Sequence, residues 1–166
     1  MNQQELEALA AQVGSLFEAN GQKLVTAESC TGGWVAQCLT AVPGSSAWFD
    51  RGFITYSNAA KHEMLDVEFD TLNTHGAVSE ATAAAMAAGA LCHSQGDWAL
   101  AITGVAGPSG GSPDKPVGTV CFSWAGAEGR IDTQTCHFKG CREEVRAQSV
   151  EHALSGVLRR AQIMSA

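Results

Sequence analysis

The sequence predicts an α/β fold: a three-layer α/β/α sandwich with a mostly parallel sheet and an antiparallel edge hairpin. Three observations carry this. Segments of helical periodicity alternate with short apolar runs through most of the chain. Two β-branched and aromatic runs then follow one another late, joined around Gly126 and Gly129. The last segment is helical again. Alternation favours parallel strands joined by crossover helices, and adjacent late strands favour an antiparallel edge.

Leu6, Leu9, Val13, Leu16 and Phe17 recur at helical spacing, and Asn20-Gly21 supplies a left-handed stop. Residues 23–27 read as a short buried strand. Gly32-Gly33 follow, and 34–42 reads as a helix ended by Pro43-Gly44. The aromatic and β-branched stretch 48–56 is a strand. A helix begins after Ser57-Asn58 and carries Lys61, Met64 and Leu65. A loop around His75-Gly76 leads to Ser79, an N-cap for the alanine-rich helix 80–93. Residues 98–103 form an apolar strand that breaks into Gly104-Val105-Ala106-Gly107-Pro108. The glycine- and proline-rich run behind it, 109–116, cannot be regular structure. Residues 117–124 and 131–138 form the hairpin, and 142–163 the last helix, with Val150, Leu154, Val157 and Leu158 inward.

The chain has 166 residues, 45% apolar and 16% charged, which fits one globular domain over 1–166 with no internal repeat. Its apolar runs fall well short of the ~20 residues a membrane-spanning helix needs. The start, Met1-Asn2-Gln3-Gln4-Glu5, is polar and acidic, so the cytoplasm is the expected compartment. A net charge of −7 argues against general nucleic-acid binding, which needs a basic face. No Cys-x-x-Cys pair occurs among the six cysteines and no histidines pair at metal-ligand spacing, so neither zinc nor another cofactor is expected. Most of the cysteines are expected to be small buried apolar residues. A homodimer is expected, with Trp48, Phe49, Phe53 and the alanine-rich helix as its surface.

In open α/β sheets ligands gather beyond the carboxyl ends of the strands. Three polar segments fall there. Glu28-Ser29-Cys30-Thr31-Gly32-Gly33 turns from strand to helix, where free amides at a helix start suit an anion or an oxyanion. Thr103-Gly104-Val105-Ala106-Gly107-Pro108 presents backbone amides. Tyr56-Ser57-Asn58 precedes Lys61, a lysine able to reach back over the sheet edge, where desolvation makes it a base. Arg142 and Arg146 share a helix face near a helix start, where cations are disfavoured unless a bound anion or a carboxylate compensates. A Walker loop, Gly-x-Ser-x-Gly and Ser-x-x-Lys at Ser29 are all absent.

Taken in order, several blocks resemble the CinA C-terminal domain family. They are Thr26-Ala27-Glu28-Ser29-Cys30-Thr31-Gly32-Gly33, Pro43-Gly44-Ser45-Ser46, Thr55-Tyr56-Ser57-Asn58 with Lys61, and His75-Gly76-Ala77-Val78-Ser79-Glu80. Further along come Thr103-Gly104-Val105-Ala106-Gly107-Pro108, Lys115-Pro116-Val117-Gly118-Thr119-Val120 and Arg142-Glu143-Glu144-Val145-Arg146. One departure is Cys141, where the family carries an acidic residue. The resemblance implies hydrolysis of the carboxamide of nicotinamide mononucleotide to nicotinic acid mononucleotide and ammonia. On that footing Ser29 is the nucleophile, Lys61 the base and Tyr56 the proton relay. Cys30, Thr31, Gly32, Gly33, Thr103, Gly104, Ala106 and Gly107 hold the oxyanion and substrate, and Arg142 binds phosphate or positions the amide. Cys30 stands beside Ser29 as a second possible nucleophile, and a non-catalytic nucleotide-binding module is the reading from outside enzymes.

Overall fold

The computed structural model describes residues 1–165. Its elements are α1 (Gln3–Asn20), β1 (Leu24–Glu28), α2 (Trp34–Thr40), β2 (Phe49–Ile54), α3 (Asn58–Leu65), α4 (Phe69–His75), α5 (Glu80–Cys92), β3 (Trp98–Gly104), β4 (Thr119–Gly126), β5 (Ile131–His137) and α6 (Arg142–Ser165). The five strands form one sheet in the order β2-β1-β3-β4-β5. β1 pairs in parallel with both β2 and β3, while β4 and β5 run antiparallel as the expected edge hairpin.

Helices cover both faces, and the faces differ in kind. On one, α1, α2 and α6 bury Leu6, Val13, Phe17, Leu39, Leu154 and Val157 against Leu24, Leu100, Ile102, Phe122 and Trp124. On the other, Val25, Ala27, Ala99, Ala101 and Ala125 meet Met86, Ala87 and Ala90 of α5, with Leu65 and Leu72 of α3 and α4. Strand side chains alternate between faces, so the chain places bulk on one side and mostly small side chains on the other. The alanine-rich helix therefore lies close to the sheet, and its small residues serve that contact rather than an outer surface.

Two expectations need correction. Trp48 is not an interface residue: its indole fills a slot opened by Gly14 of α1, where a Cβ would lie 2.5 Å from the ring. The segment read as a plain loop before His75 contains α4, a short polar helix whose one buried side chain is Leu72. Of the six free cysteines, Cys30, Cys38 and Cys121 are buried, Cys136 is half-buried, and Cys92 and Cys141 are exposed. Among the described residues no helix is long and apolar enough to cross a membrane.

Candidate active site

β1 and β2 are neighbours, yet the chain leaves β1 for α2 on one face and leaves β2 for α3 on the other. A crevice opens at such a switch point, beyond the carboxyl ends of the strands. Ser29 stands immediately after β1. Across the crevice, Ser57 caps α3 by accepting from the Ala60 amide, which fixes the start of the helix and puts Lys61 in its first turn. Lys61 is 2% exposed and Ser29 8%. The lysine Nζ donates to Ser29 Oγ at 3.0 Å and to the Thr55 carbonyl at 2.8 Å. Among the described residues no carboxylate lies within ion-pair distance of this amine. Burial pushes its pKa below the ordinary lysine value, and a smaller effect of the Cys30 thiol opposes it.

The turn carrying Ser29 is held from beneath by Glu28, which is 1% exposed. One carboxylate oxygen accepts from Thr31 Oγ1 at 2.7 Å and from the Val35 amide at 2.9 Å, and the other from the Ala36 amide at 3.1 Å. Burial pushes this carboxyl above its ordinary value, while bonds from Thr31 and the amides of Val35, Ala36 and Gly33 pull it back. Glu28 thus caps α2 internally. The amides at the helix start, which the sequence offered to a ligand, are already taken by a carboxylate. Gly32 donates its amide to the Ser29 carbonyl at 3.0 Å. Gly32 and Gly33, at φ +59° and +97°, therefore shape the turn, and their amides are engaged within the protein.

Cys30 is 6% exposed and packs into the larger core cluster. Burial first, and the nearby Glu28 charge second, push its thiol up to about 12. Thr31 is fully buried on Glu28 and does not face the crevice.

The two arginines of α6 diverge. Arg142 donates to the Gly107 carbonyl at 2.8 Å and to the Tyr56 hydroxyl at 3.0 Å, spanning the crevice mouth. Arg146 donates to the Cys30 and Thr31 carbonyls, both at 3.1 Å, and lies 5.3 Å from the Trp34 ring centre. The Tyr56 side chain is 62% exposed, and its hydroxyl bond is to Arg142, with none to Ser29 or Lys61. Thr103 is buried and donates to the Ala77 carbonyl at 2.7 Å, pinning the α4–α5 connection against the end of β3.

Ser29, Cys30, Tyr56, Lys61, Thr103, Gly104, Ala106 and Arg142 line a single cleft of about 260 Å³. Asn58, Ala77 and Val78 complete its wall. A larger hollow of about 500 Å³ lies at the opposite end of the strands, against Asp97, Trp98 and Glu128, and touches none of these groups. It is in the smaller cleft that a desolvated amine meets a hydroxyl. Among the described residues no three of His, Cys, Asp and Glu converge as a metal site would require. An oriented hydroxyl, an amine biased toward its neutral form and a cation at the mouth together suit acyl transfer on a substrate carrying an anionic group.

The profile of the CinA C-terminal domain family matches residues 6–161. The chain belongs to this family. It is 52% identical over 154 residues to nicotinamide-nucleotide amidohydrolase PncC of Escherichia coli, covering 93% of each chain. It is 46% identical to the protein of the same name from Pseudomonas putida, covering 92% of this chain and 95% of that one. Among solved CinA structures, the competence/damage inducible protein of Agrobacterium tumefaciens superposes with a TM-score of 0.91 at 44% identity, covering 93% of this chain and 94% of that one.

Sequence reasoning did not foresee the internal cap by Glu28, the split between the two arginines, or Asn58, Ala77 and Val78 in the wall. The block His75-Gly76-Ala77-Val78-Ser79-Glu80 was the available signal for the last two. Nothing local in the sequence separates Arg142 from Arg146, since both occupy one face of one helix.

Proposed function

We propose that this protein is an amidohydrolase that cleaves the carboxamide of nicotinamide mononucleotide, releasing ammonia and nicotinic acid mononucleotide through an acyl-enzyme on Ser29. The observation that carries the reading is the buried contact of Lys61 Nζ with Ser29 Oγ at 3.0 Å. Relatives named nicotinamide-nucleotide amidohydrolase at up to 52% identity support the substrate class.

With Lys61 neutral, one N–H still donates to the Thr55 carbonyl and the lone pair faces Ser29, so the hydroxyl becomes the donor. Ser29 Oγ attacks the carboxamide carbon while its proton passes to Lys61. The oxyanion that forms is met by the amide of the residue following the nucleophile, Cys30. The C–N bond then breaks as the lysine ammonium returns the proton to the leaving nitrogen, and ammonia departs. Water attacks the ester, Lys61 takes its proton and gives it back to Ser29 Oγ, and the acid leaves. Arg142 receives the phosphate at the mouth, and Tyr56 holds Arg142 there rather than relaying protons. Thr103, Gly104 and Ala106 form the opposite wall, against the ribose.

A Cys30 nucleophile is disfavoured because its thiol is pushed up to about 12 and lies in the core. Ammonia release from nicotinamide mononucleotide tests the assignment. Ser29→Ala is expected to lose at least about 10³-fold in kcat, and Cys30→Ala to stay within about tenfold of the parent. The opposite ranking would falsify the serine mechanism. Tight binding without ammonia release would identify a binding module instead.

A further inference from the structure

The amide expected to meet the oxyanion is not a free-standing donor. Among the described residues no backbone carbonyl accepts from the Cys30 or the Thr31 amide. Both amides belong to peptide groups whose carbonyls are bonded. The Thr31 amide shares its peptide with the Cys30 carbonyl, which accepts from Arg146 Nε at 3.1 Å. The Cys30 amide shares its peptide with the Ser29 carbonyl, which accepts from the Gly32 amide at 3.0 Å. The Gly32 peptide in turn carries the Thr31 carbonyl, which accepts from Arg146 Nη2 at 3.1 Å. Arg146 Nη2 thus stands at the head of a chain of two peptide hydrogen bonds that ends on the Cys30 amide, next to the nucleophile, while Nε fixes the Cys30 carbonyl itself. Bonds in such chains polarise one another, and a carbonyl drawn toward a cation makes its own N–H a stronger donor.

Arg146 is suited to this and little else. Trp34 lies against its guanidinium, and no carboxylate lies within ion-pair distance of it among the described residues. Its charge is therefore not spent on a neighbouring acid. It is absent from the cleft lining, where Arg142 is present. Glu28 binds the same turn from the other side and places a negative charge beneath it. An anion forming at Ser29 would feel that carboxylate unopposed but for Arg146 and Lys61.

We infer that Arg146 is a positioning residue for acyl transfer: it fixes the Cys30 and Thr31 carbonyls and so orients and polarises the Cys30 amide that receives the oxyanion, without touching substrate. The inference rests on the amidase reading above. Because the oxyanion exists only in the transition state, the contribution of Arg146 appears in kcat and not in substrate affinity.

The test compares Arg146→Met and Arg146→Lys with the parent in ammonia release from nicotinamide mononucleotide. Alongside it, calorimetry measures binding of the same nucleotide in the non-cleaving Ser29→Ala background, with and without Arg146→Met. The expected result for Arg146→Met is a fall in kcat of about 10- to 100-fold. KM and the calorimetric Kd should stay within about twofold. Arg146→Lys should fall between, since it keeps the charge but cannot span two carbonyls as a fork, and it also serves should Arg146→Met not fold. A kcat within about twofold of the parent would overturn the inference. So would a weakened Kd accompanied by lost preference for the nucleotide over nicotinamide riboside, which would make Arg146 a phosphate ligand. If the parent releases no ammonia, the amidase reading fails. If it does and Arg146→Met matches it, the present inference alone fails.

Discussion

Gly89 of α5 faces away from the cleft, yet its replacement by alanine is expected to reach Lys61. A Cβ at position 89 would lie 2.7 Å from the Leu65 carbonyl carbon and 3.0 Å from its Cα. Carbon atoms normally rest about 3.5–4.0 Å apart. The two backbones must therefore separate by roughly 1 Å, and neither atom belongs to a side chain that can swing aside. Overpacking of this kind costs up to about 3 kcal/mol. Alanine returns about 1 kcal/mol of helix propensity. The net loss is about 2 kcal/mol, or about 4–8 °C in Tm for a chain of this size.

The second effect is catalytic. Leu65 is the last residue of α3, the helix that holds Lys61 against Ser29. A displacement of about 1 Å at the reacting groups is worth as much as 10²-fold in rate. Gly89→Ala is thus expected to lower kcat by about 10- to 100-fold in the protein that remains folded. Ala88→Gly, on the exposed side of the same helix, should lose stability by about 1 kcal/mol and keep its kcat. Urea unfolding and ammonia release on the two variants decide the matter. A Gly89→Ala protein as stable and as fast as the parent would refute the idea that α5 seats α3.

Lys61 gives a prediction in pH. Its folded pKa lies below the ordinary lysine value, so the unfolded chain binds more protons than the folded one and stability rises with pH. The burial cost is present in full at pH well below the folded value and is relieved as pH climbs from there to the ordinary one. The stability of the parent relative to Lys61→Met should accordingly rise with pH, at up to about 1.4 kcal/mol per unit within that window, by urea unfolding. A flat difference would mean the amine is not desolvated. The parent's kcat/KM should rise with pH through the same folded pKa. Glu28→Gln keeps the shape but turns an NH₂ toward amide donors, and should cost about 1–3 kcal/mol in urea unfolding at unchanged m-value. Arg142→Ala should raise KM for nicotinamide mononucleotide about 10- to 100-fold, as loss of charged hydrogen bonds does, while leaving nicotinamide riboside turnover little changed. Equal losses on both would place Arg142 away from the phosphate.

Much of this molecule is legible in its sequence because its regular elements carry strong local signals. Asn20-Gly21 ends α1 with a left-handed Gly21, and Ser57 and Ser79 cap α3 and α5 through their hydroxyls. α4 is less visible because Glu68, at its N-cap, makes no side-chain capping bond and the helix buries only Leu72. Trp48 reads as the start of an aromatic strand, and only the slot left by Gly14, far away in sequence, takes it inward. In the crevice, the nearness of Ser29 and Lys61 follows from two strand ends that lie side by side. The contacts of Glu28, Tyr56 and Arg146 do not, because each is set by where a helix sits against the sheet. A shift of α6 by about one turn (roughly 5.4 Å) along its axis would bring Arg146 to where Arg142 now lies, and periodicity carries no information about that register.

The proposed nucleophile Ser29 and its proposed base Lys61 both lie within the single unit β1–α2–β2–α3, 32 positions apart. Tyr56 and Asn58 line the cleft from the same unit, while Thr103, Gly104, Ala106 and Arg142 come from the remainder of the chain. On the proposed function, the bond-breaking pair and the cation at the mouth are therefore written in separate stretches of the gene. Mutation can retune which amide enters by altering the later stretch while the earlier one is inherited intact, which gives a natural starting point for directed evolution toward other amides.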